Sequence, residues 1–147
     1  MDIFKEGENL QKELVELRRY FHENPEQSWE EFNTQKKIMN YLDELDIPYT
    51  KSCKTGVIAT IKGRQSSDKV LGIRADIDAL PVQELAEVSW KSKNEGSMHA
   101  CGHDTHITMI LGTAKILQKM KDELKLTVKL LFQPAEECIQ YSGASYM

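Results

Sequence analysis

Met98-His99-Ala100-Cys101-Gly102-His103-Asp104-Thr105-His106 places five residues able to bind a metal ion or move a proton within nine positions. Directly after it, Ile107, Ile110, Leu111, Ala114 and Leu117 recur at helical spacing. The donors therefore sit on a loop that runs into a helix, with Asp104 or Thr105 expected as its N-cap. Cys101 and His103 are two apart, so on extended backbone their side chains point the same way. Gly102 between them leaves room for an ion to approach the main chain. Taken alone the pair is weak evidence, because a buried cysteine often serves as a small apolar residue and structural zinc sites show four ligands.

Outward from this stretch the chain reads as alternating layers. Leu10, Leu14, Leu17 and Phe21 form the apolar stripe of a helix over roughly residues 5 to 23, ended by Asn24-Pro25. His22, near that end, is expected to serve the last carbonyls. Ser28-Trp29-Glu30-Glu31 matches a capping box. A second helix follows to about Leu45, with Phe32, Ile38, Met39, Leu42 and Leu45 facing inward and Ile47-Pro48-Tyr49 breaking it. Val57 to Ile61 and Val70 to Ala75 are short apolar runs joined by the polar turn Lys62 to Asp68, a hairpin if the strands are direct neighbours. Leu126, Val128, Leu130 and Phe132 alternate with Thr127, Lys129, Leu131 and Gln133, the period of a strand. Val82 to Ser97 is a long loop, functional or mobile by its length, with Trp90 expected to pack on the core. Helices and strands in this order predict an α/β layered domain.

The 147 residues suffice for one domain with a real core. A net charge of -4 without a basic cluster argues against nucleic acid or an anionic membrane as partner. The start Met1-Asp2-Ile3-Phe4-Lys5-Glu6 lacks the layout of a signal peptide, and no apolar run reaches spanning length. Cys53, Cys101 and Cys138 are too few and too odd for a disulfide framework, so a reducing cytoplasm is expected.

Two further stretches carry acids at strand ends. Arg74-Ala75-Asp76-Ile77-Asp78-Ala79-Leu80-Pro81 closes one predicted strand, with Asp76 and Asp78 able to share a face. Turn-forming aspartates are the plainer reading of that pair. Phe132-Gln133-Pro134-Ala135-Glu136-Glu137 closes the next strand. Adjacent residues on a bent loop do not readily do the same job, so one glutamate can bind a metal while the other stands as a base. Ligands of open α/β sheets gather at the carboxyl ends of strands. Carboxylate, imidazole and thiolate together suit zinc, manganese, cobalt or nickel.

These three stretches, in this order, resemble the metal-dependent aminoacylase/amidohydrolase family, which includes hippurate hydrolases, N-acetyldiaminopimelate deacetylases and indole-acetyl-amino-acid hydrolases. Leu17-Arg18-Arg19-Tyr20-Phe21-His22-Glu23-Asn24-Pro25-Glu26 looks like the end of the family's first helix. The resemblance implies a phosphorylase/hydrolase-like catalytic domain with a mixed sheet and two divalent ions. It places Cys101, His103 and Glu137 on metal-ligand positions, with Cys101 bridging. Glu136 falls on the general-base position, and Asp76 and Asp78 lie against the ligands. Asp76, Asp78 and Glu136 are then the candidate catalytic residues, and His106 is supporting rather than a ligand. The reaction implied is hydrolysis of N-acyl amino acids by metal-activated water, with Glu136 passing the proton to the leaving amine.

Two features depart from the family. Cys138-Ile139-Gln140-Tyr141-Ser142-Gly143-Ala144-Ser145 stands where a glycine-rich run is usual. Family members are also well over twice as long. Residues 1–147 are therefore expected to be the N-terminal part of the catalytic domain, incomplete at the C-terminus. Two more histidine ligands and a lid or dimerisation domain would be absent, activity alone would be low, and a homodimer would belong to a full-length form. A non-catalytic metal-binding domain is a second reading. A Cys-His thiol hydrolase using Cys101 is a third, disfavoured because catalytic Cys and His usually come from distant parts of a chain.

Overall fold

The computed structural model describes residues 1–65 and 67–147; Ser66, in the polar turn, lies outside the described residues. Helix α1 (Ile3–Glu23) starts at Asp2, whose carboxylate accepts from the Lys5 amide at 3.2 Å. It buries Leu10, Leu17 and Phe21. Helix α2 (Phe32–Glu44) buries Ile38 and Leu42 completely, with Met39 and Leu45 partly covered. Phe32 is instead 47% exposed.

The capping box at Ser28–Glu31 does not form. Glu31 occupies the N-cap position but its side chain makes no cap hydrogen bond. The carboxylate of Glu26 takes that role from the preceding loop, accepting from the amides of Asn33 at 3.1 Å and Thr34 at 2.8 Å. A carboxylate reaching in from outside the local window satisfies the same orphan amides as a local serine would.

Strands β1 (Tyr49–Ser52), β2 (Gly56–Lys62), β3 (Val70–Asp76) and β4 (Thr127–Gln133) form one sheet in the order β1-β2-β4-β3. The hairpin is β1–β2, antiparallel; Tyr49-Thr50-Lys51-Ser52 has no apolar run to mark β1 in the sequence. Strands β2 and β3 are not neighbours: β4 lies between them, antiparallel to β2 and parallel to β3. Alternation places Val57, Ala59 and Ile61 of β2, Ile73 and Ala75 of β3, and Val128, Leu130 and Phe132 of β4 in the core. Helices α2 and α3 (His103–Lys119) pack against the sheet and α1 packs on α3. Fully burying side chains such as Phe132, Leu130 or Ile107 stabilises by about 1.5–3 kcal/mol each. Among the described residues no helix is long and apolar enough to cross a membrane.

The connection β3–α3–β4 positions the site. Its two strands are parallel and in register to their ends, with Asp76 opposite Gln133. Such a crossover brings the N-terminus of the connecting helix back to the carboxyl ends of both strands. The long segment 82–97 is tied down at its base, where Leu80 and Met98 exchange amide hydrogen bonds at 3.0 and 3.1 Å. It is fastened inside through Glu84, which lies 3.1 Å from His22 Nε2 and accepts from the Ser92 amide at 2.6 Å.

His22 does not serve the carbonyls at the end of α1. It is buried, and its Nδ1 lies 2.7 Å from Asp104 Oδ2, so the end of α1, the start of α3 and the long segment share one buried polar knot. Arg18 completes it at 2.9 Å from the same Asp104 oxygen. Trp90 is half-buried but lies outside the core cluster, with the Arg19 guanidinium 4.1 Å above its ring.

Candidate metal centre

Helix α3 begins at His103, earlier than the sequence suggests, with Gly102 as its N-cap at φ +84°. Cys101 and His103 therefore do not share a face of extended backbone. The left-handed turn at Gly102, accessible to a residue without Cβ, brings them together instead. Cys101 Sγ, a ring nitrogen of His103 and a carboxylate oxygen of Glu137 all lie within 4.8 Å of one another.

The tautomer of His103 follows from its surroundings. Nδ1 lies 2.8 Å from the backbone carbonyl of Asp78, which only accepts, so Nδ1 carries the proton. A neutral ring then presents the Nε2 lone pair to the cluster. Three carboxylate oxygens stand around that nitrogen: Asp76 Oδ2 at 3.7 Å, Glu136 Oε2 at 3.8 Å and Glu137 Oε1 at 3.7 Å. These separations are too long for hydrogen bonds. Two donors on one tetrahedral zinc, each about 2.0–2.3 Å from the ion, stand roughly 3.3–3.8 Å apart. Glu137 Oε1 is buried with no hydrogen-bond partner among the described residues. A buried carboxylate oxygen without a partner is costly unless a cation meets it. The donor set thus fits a divalent ion.

The anionic surroundings shift the protons. Burial alone would lower the His103 pKa, but Asp78 and Asp76 more than offset it and raise it to about 9. The Glu137 carboxylate first, then partial burial, push the Cys101 thiol up. Asp76 and Asp78 are held low despite burial, by His106 and by His103 respectively.

The two aspartates grip the imidazoles from different sides. Asp78, 1% exposed, accepts from Ser28 Oγ at 2.6 Å and from the Glu137 amide at 3.0 Å. Asp76 Oδ1 lies 2.5 Å from His106 Nδ1, and the His106 ring stacks on that of His103 at 5.5 Å between centroids. Arg74 is fixed by Gln133 Oε1 at 2.5 Å and reaches Asp76 at 3.2 Å. Every candidate named from sequence is therefore at one place: Cys101, His103 and Glu137 as a triad, Glu136 at its rim, Asp76 and Asp78 behind the rings. Cys138 is half-buried, and all three cysteines carry free thiols.

The sequence pattern of Peptidase family M20/M25/M40 matches residues 72–147, the part that holds Asp76, Asp78, Cys101, His103, Glu136 and Glu137. The chain belongs to this family. Over 129 residues it is 52% identical to N-acetylcysteine deacetylase of Bacillus subtilis (strain 168), covering 84% of this chain and 33% of that relative. It is 47% identical over 125 residues to the IAA-amino acid hydrolase ILR1-like 5 of Arabidopsis thaliana, covering 84% and 28%. A solved M20 structure, a dinuclear metal binding peptidase from Bacillus subtilis, superposes with a TM-score of 0.84 at 49% identity, covering 88% of this chain and 37% of that one. The chain thus spans about a third of the length of such M20 relatives, at 33% to 39% for the first three curated ones.

Three buried ionisable residues have surroundings that the local sequence does not reveal. Local sequence places Glu31 and His22 at helix ends and His99 among the five possible donors of its stretch, without a specific role. His99 is 4% exposed, and neither ring nitrogen has a hydrogen-bond partner among the described residues. Burial lowers its pKa to about 4, which keeps it neutral.

Proposed function

We propose that residues 1–147 form the N-terminal part of the catalytic domain of a metal-dependent amidohydrolase acting on small N-acyl amino acids. The observation that carries this reading is the convergence of Cys101, His103 and Glu137 around a buried carboxylate oxygen that lacks a partner. The relatives' substrates, an N-acetyl amino acid and amino acid conjugates, are the chemistry such a site suits. Cys101, His103 and Glu137 would hold a divalent ion. A second ion, as in the dinuclear relative, would need donors beyond these three. Bound ions would supply Lewis acidity and water of pKa about 7 in place of roughly 15.7.

The chain's own residues do the rest. Asp78 holds His103 by its backbone carbonyl and the Glu137 amide by its carboxylate, so one residue orients two ligands. Asp76 fixes the His106 ring that stacks on His103. Glu136, with its side chain 37% exposed and Oε2 3.8 Å from His103 Nε2, is free to take a proton from the attacking water and deliver it to the leaving amine. A reducing compartment and a homodimer of the longer protein belong to the same proposal.

The alternatives fare worse on geometry. A nucleophilic cysteine needs a lowered pKa from a cationic neighbour; Cys101 faces Glu137, Glu136 and Asp76, and its thiol is pushed up. A structural zinc site is closed by four ligands, whereas this cluster offers three, with Cys101 exposed. The direct test is hydrolysis of N-acyl amino acids by a polypeptide extending these residues to the length of the relatives. Turnover should vanish with a chelator and return with zinc or manganese. Chelator-insensitive turnover lost to a thiol alkylator would overturn the reading in favour of Cys101 as nucleophile. The 147 residues alone should turn over slowly or not at all, since three donors leave the ion weakly held.

A pH dependence follows. Without metal, the His103 imidazole keeps its second proton up to about pH 9 and the Cys101 thiol stays protonated at pH 7. A metal takes the deprotonated forms, so binding at pH 7 should release about two protons per ion and tighten as pH rises. Calorimetry in buffers of differing ionisation enthalpy measures this. Release of no protons would exclude both Cys101 and His103 as ligands.

A further inference from the structure

We infer that Glu31 is a positioning residue for the Glu136-Glu137 pair, holding the loop that carries them through the Ala135 amide. This rests on the metal-site reading above and deepens it.

Glu31 is 0% exposed. Its Oε1 accepts from the Ala135 amide at 2.8 Å and its Oε2 from the Thr55 hydroxyl at 2.5 Å. It makes no cap hydrogen bond to α2, and Glu26 already satisfies the first amides of that helix, so helix capping does not explain a wholly buried acid here. Ala135 itself stands at φ +50°, a left-handed conformation that a residue with a Cβ adopts only when its surroundings hold it. Its carbonyl accepts from the Gly143 amide at 3.3 Å, so Ala135 is tethered on both sides of its peptide unit.

Two residues on, the Glu137 amide is held by Asp78 at 3.0 Å. The Glu136-Glu137 dipeptide is therefore slung between two buried carboxylates, Glu31 before it and Asp78 after it. The left-handed turn at Ala135 takes the chain off β4 and sets where both glutamates stand. Among the described residues Glu31 makes no hydrogen bond to the triad or to the Glu136 side chain. It acts through the backbone, with Thr55 at the β1–β2 turn fixing its other oxygen. A glutamine preserves this arrangement, because its carbonyl can accept from Ala135 while its amide donates to a rotated Thr55 hydroxyl. Aspartate keeps the charge but is one methylene too short, and methionine keeps the bulk without an acceptor.

The experiment measures zinc affinity by competition with a chromophoric chelator, and Ala135 amide exchange by NMR, on the chain and its Glu31→Gln, Glu31→Asp and Glu31→Met variants. Glu31→Gln should keep a slowly exchanging Ala135 amide and nearly the original affinity. Glu31→Asp and Glu31→Met should show fast exchange at Ala135 and affinity weakened about 10- to 100-fold, the usual cost of losing an outer partner of a ligand, with a cooperative thermal melt retained. Undiminished zinc affinity in the folded Asp and Met variants would overturn the inference. So would a loss in Glu31→Gln as large as in Glu31→Met, or failure of both Asp and Met variants to fold, which would assign Glu31 to the fold as a whole. A Cys101→Ser control separates the two readings. If it and the unsubstituted chain bind zinc alike, the metal site itself is wrong. If it loses zinc while the Asp and Met variants keep it, only the role of Glu31 falls.

Discussion

Glu136→Gln should keep the metal and remove the chemistry. In a polypeptide that extends residues 1–147 to the length of the M20 relatives, kcat should fall by about 10²- to 10⁴-fold, the usual contribution of a positioned acid–base group. Metal content should be unchanged, because Glu136 lies outside the triad of Cys101, His103 and Glu137. The amide of glutamine fills the same space at the rim of the cluster but takes no proton. Elemental analysis beside steady-state kinetics checks both halves. A variant that loses its metal, with Glu137→Gln keeping it, would show that the two glutamates have exchanged the roles assigned to them.

Cys101→Ala should cost much of the metal affinity at little cost to the fold. The side chain is exposed, so no cavity opens in the core. It is also the only sulfur donor of the triad, and its loss leaves an imidazole and a carboxylate to hold the ion. The drop in zinc affinity should exceed the roughly 10- to 100-fold cost of losing an outer partner. His103→Ala should weaken binding at least as far, and it should also destabilise the chain. The buried Asp78 would lose the imidazole whose charge holds its pKa low. Titration of both variants, with denaturation curves alongside, separates the two effects. Unchanged zinc binding in Cys101→Ala would remove the thiol from the site.

Much of this was legible in the sequence because the signals are local. Cys101, His103, Asp76, Asp78, Glu136 and Glu137 lie in three short stretches, and strand periodicity placed two of those stretches at strand ends. The parallel pairing of β3 with β4 then brought them together. What escaped depends on partners far along the chain. Glu31 reads as part of a capping box until Ala135, 104 residues away, is seen on its carboxylate. His22 reads as a helix-end histidine until Asp104, 82 residues on, is found against its ring. Whether β2 and β3 are direct neighbours depends on the same kind of distant partner: β4, which begins only at Thr127, inserts between them. At Gly102 the local reading chose an extended backbone where the glycine takes a left-handed turn, which starts α3 at His103 itself.

X-ray absorption at the zinc edge of the metal-loaded chain tests the central claim most directly. One sulfur at about 2.3 Å with nitrogen and oxygen at about 2.0–2.2 Å is expected, and the sulfur shell should disappear in Cys101→Ala. A spectrum with no sulfur, or a sulfur shell that survives Cys101→Ala, would contradict a metal centre built on Cys101, His103 and Glu137.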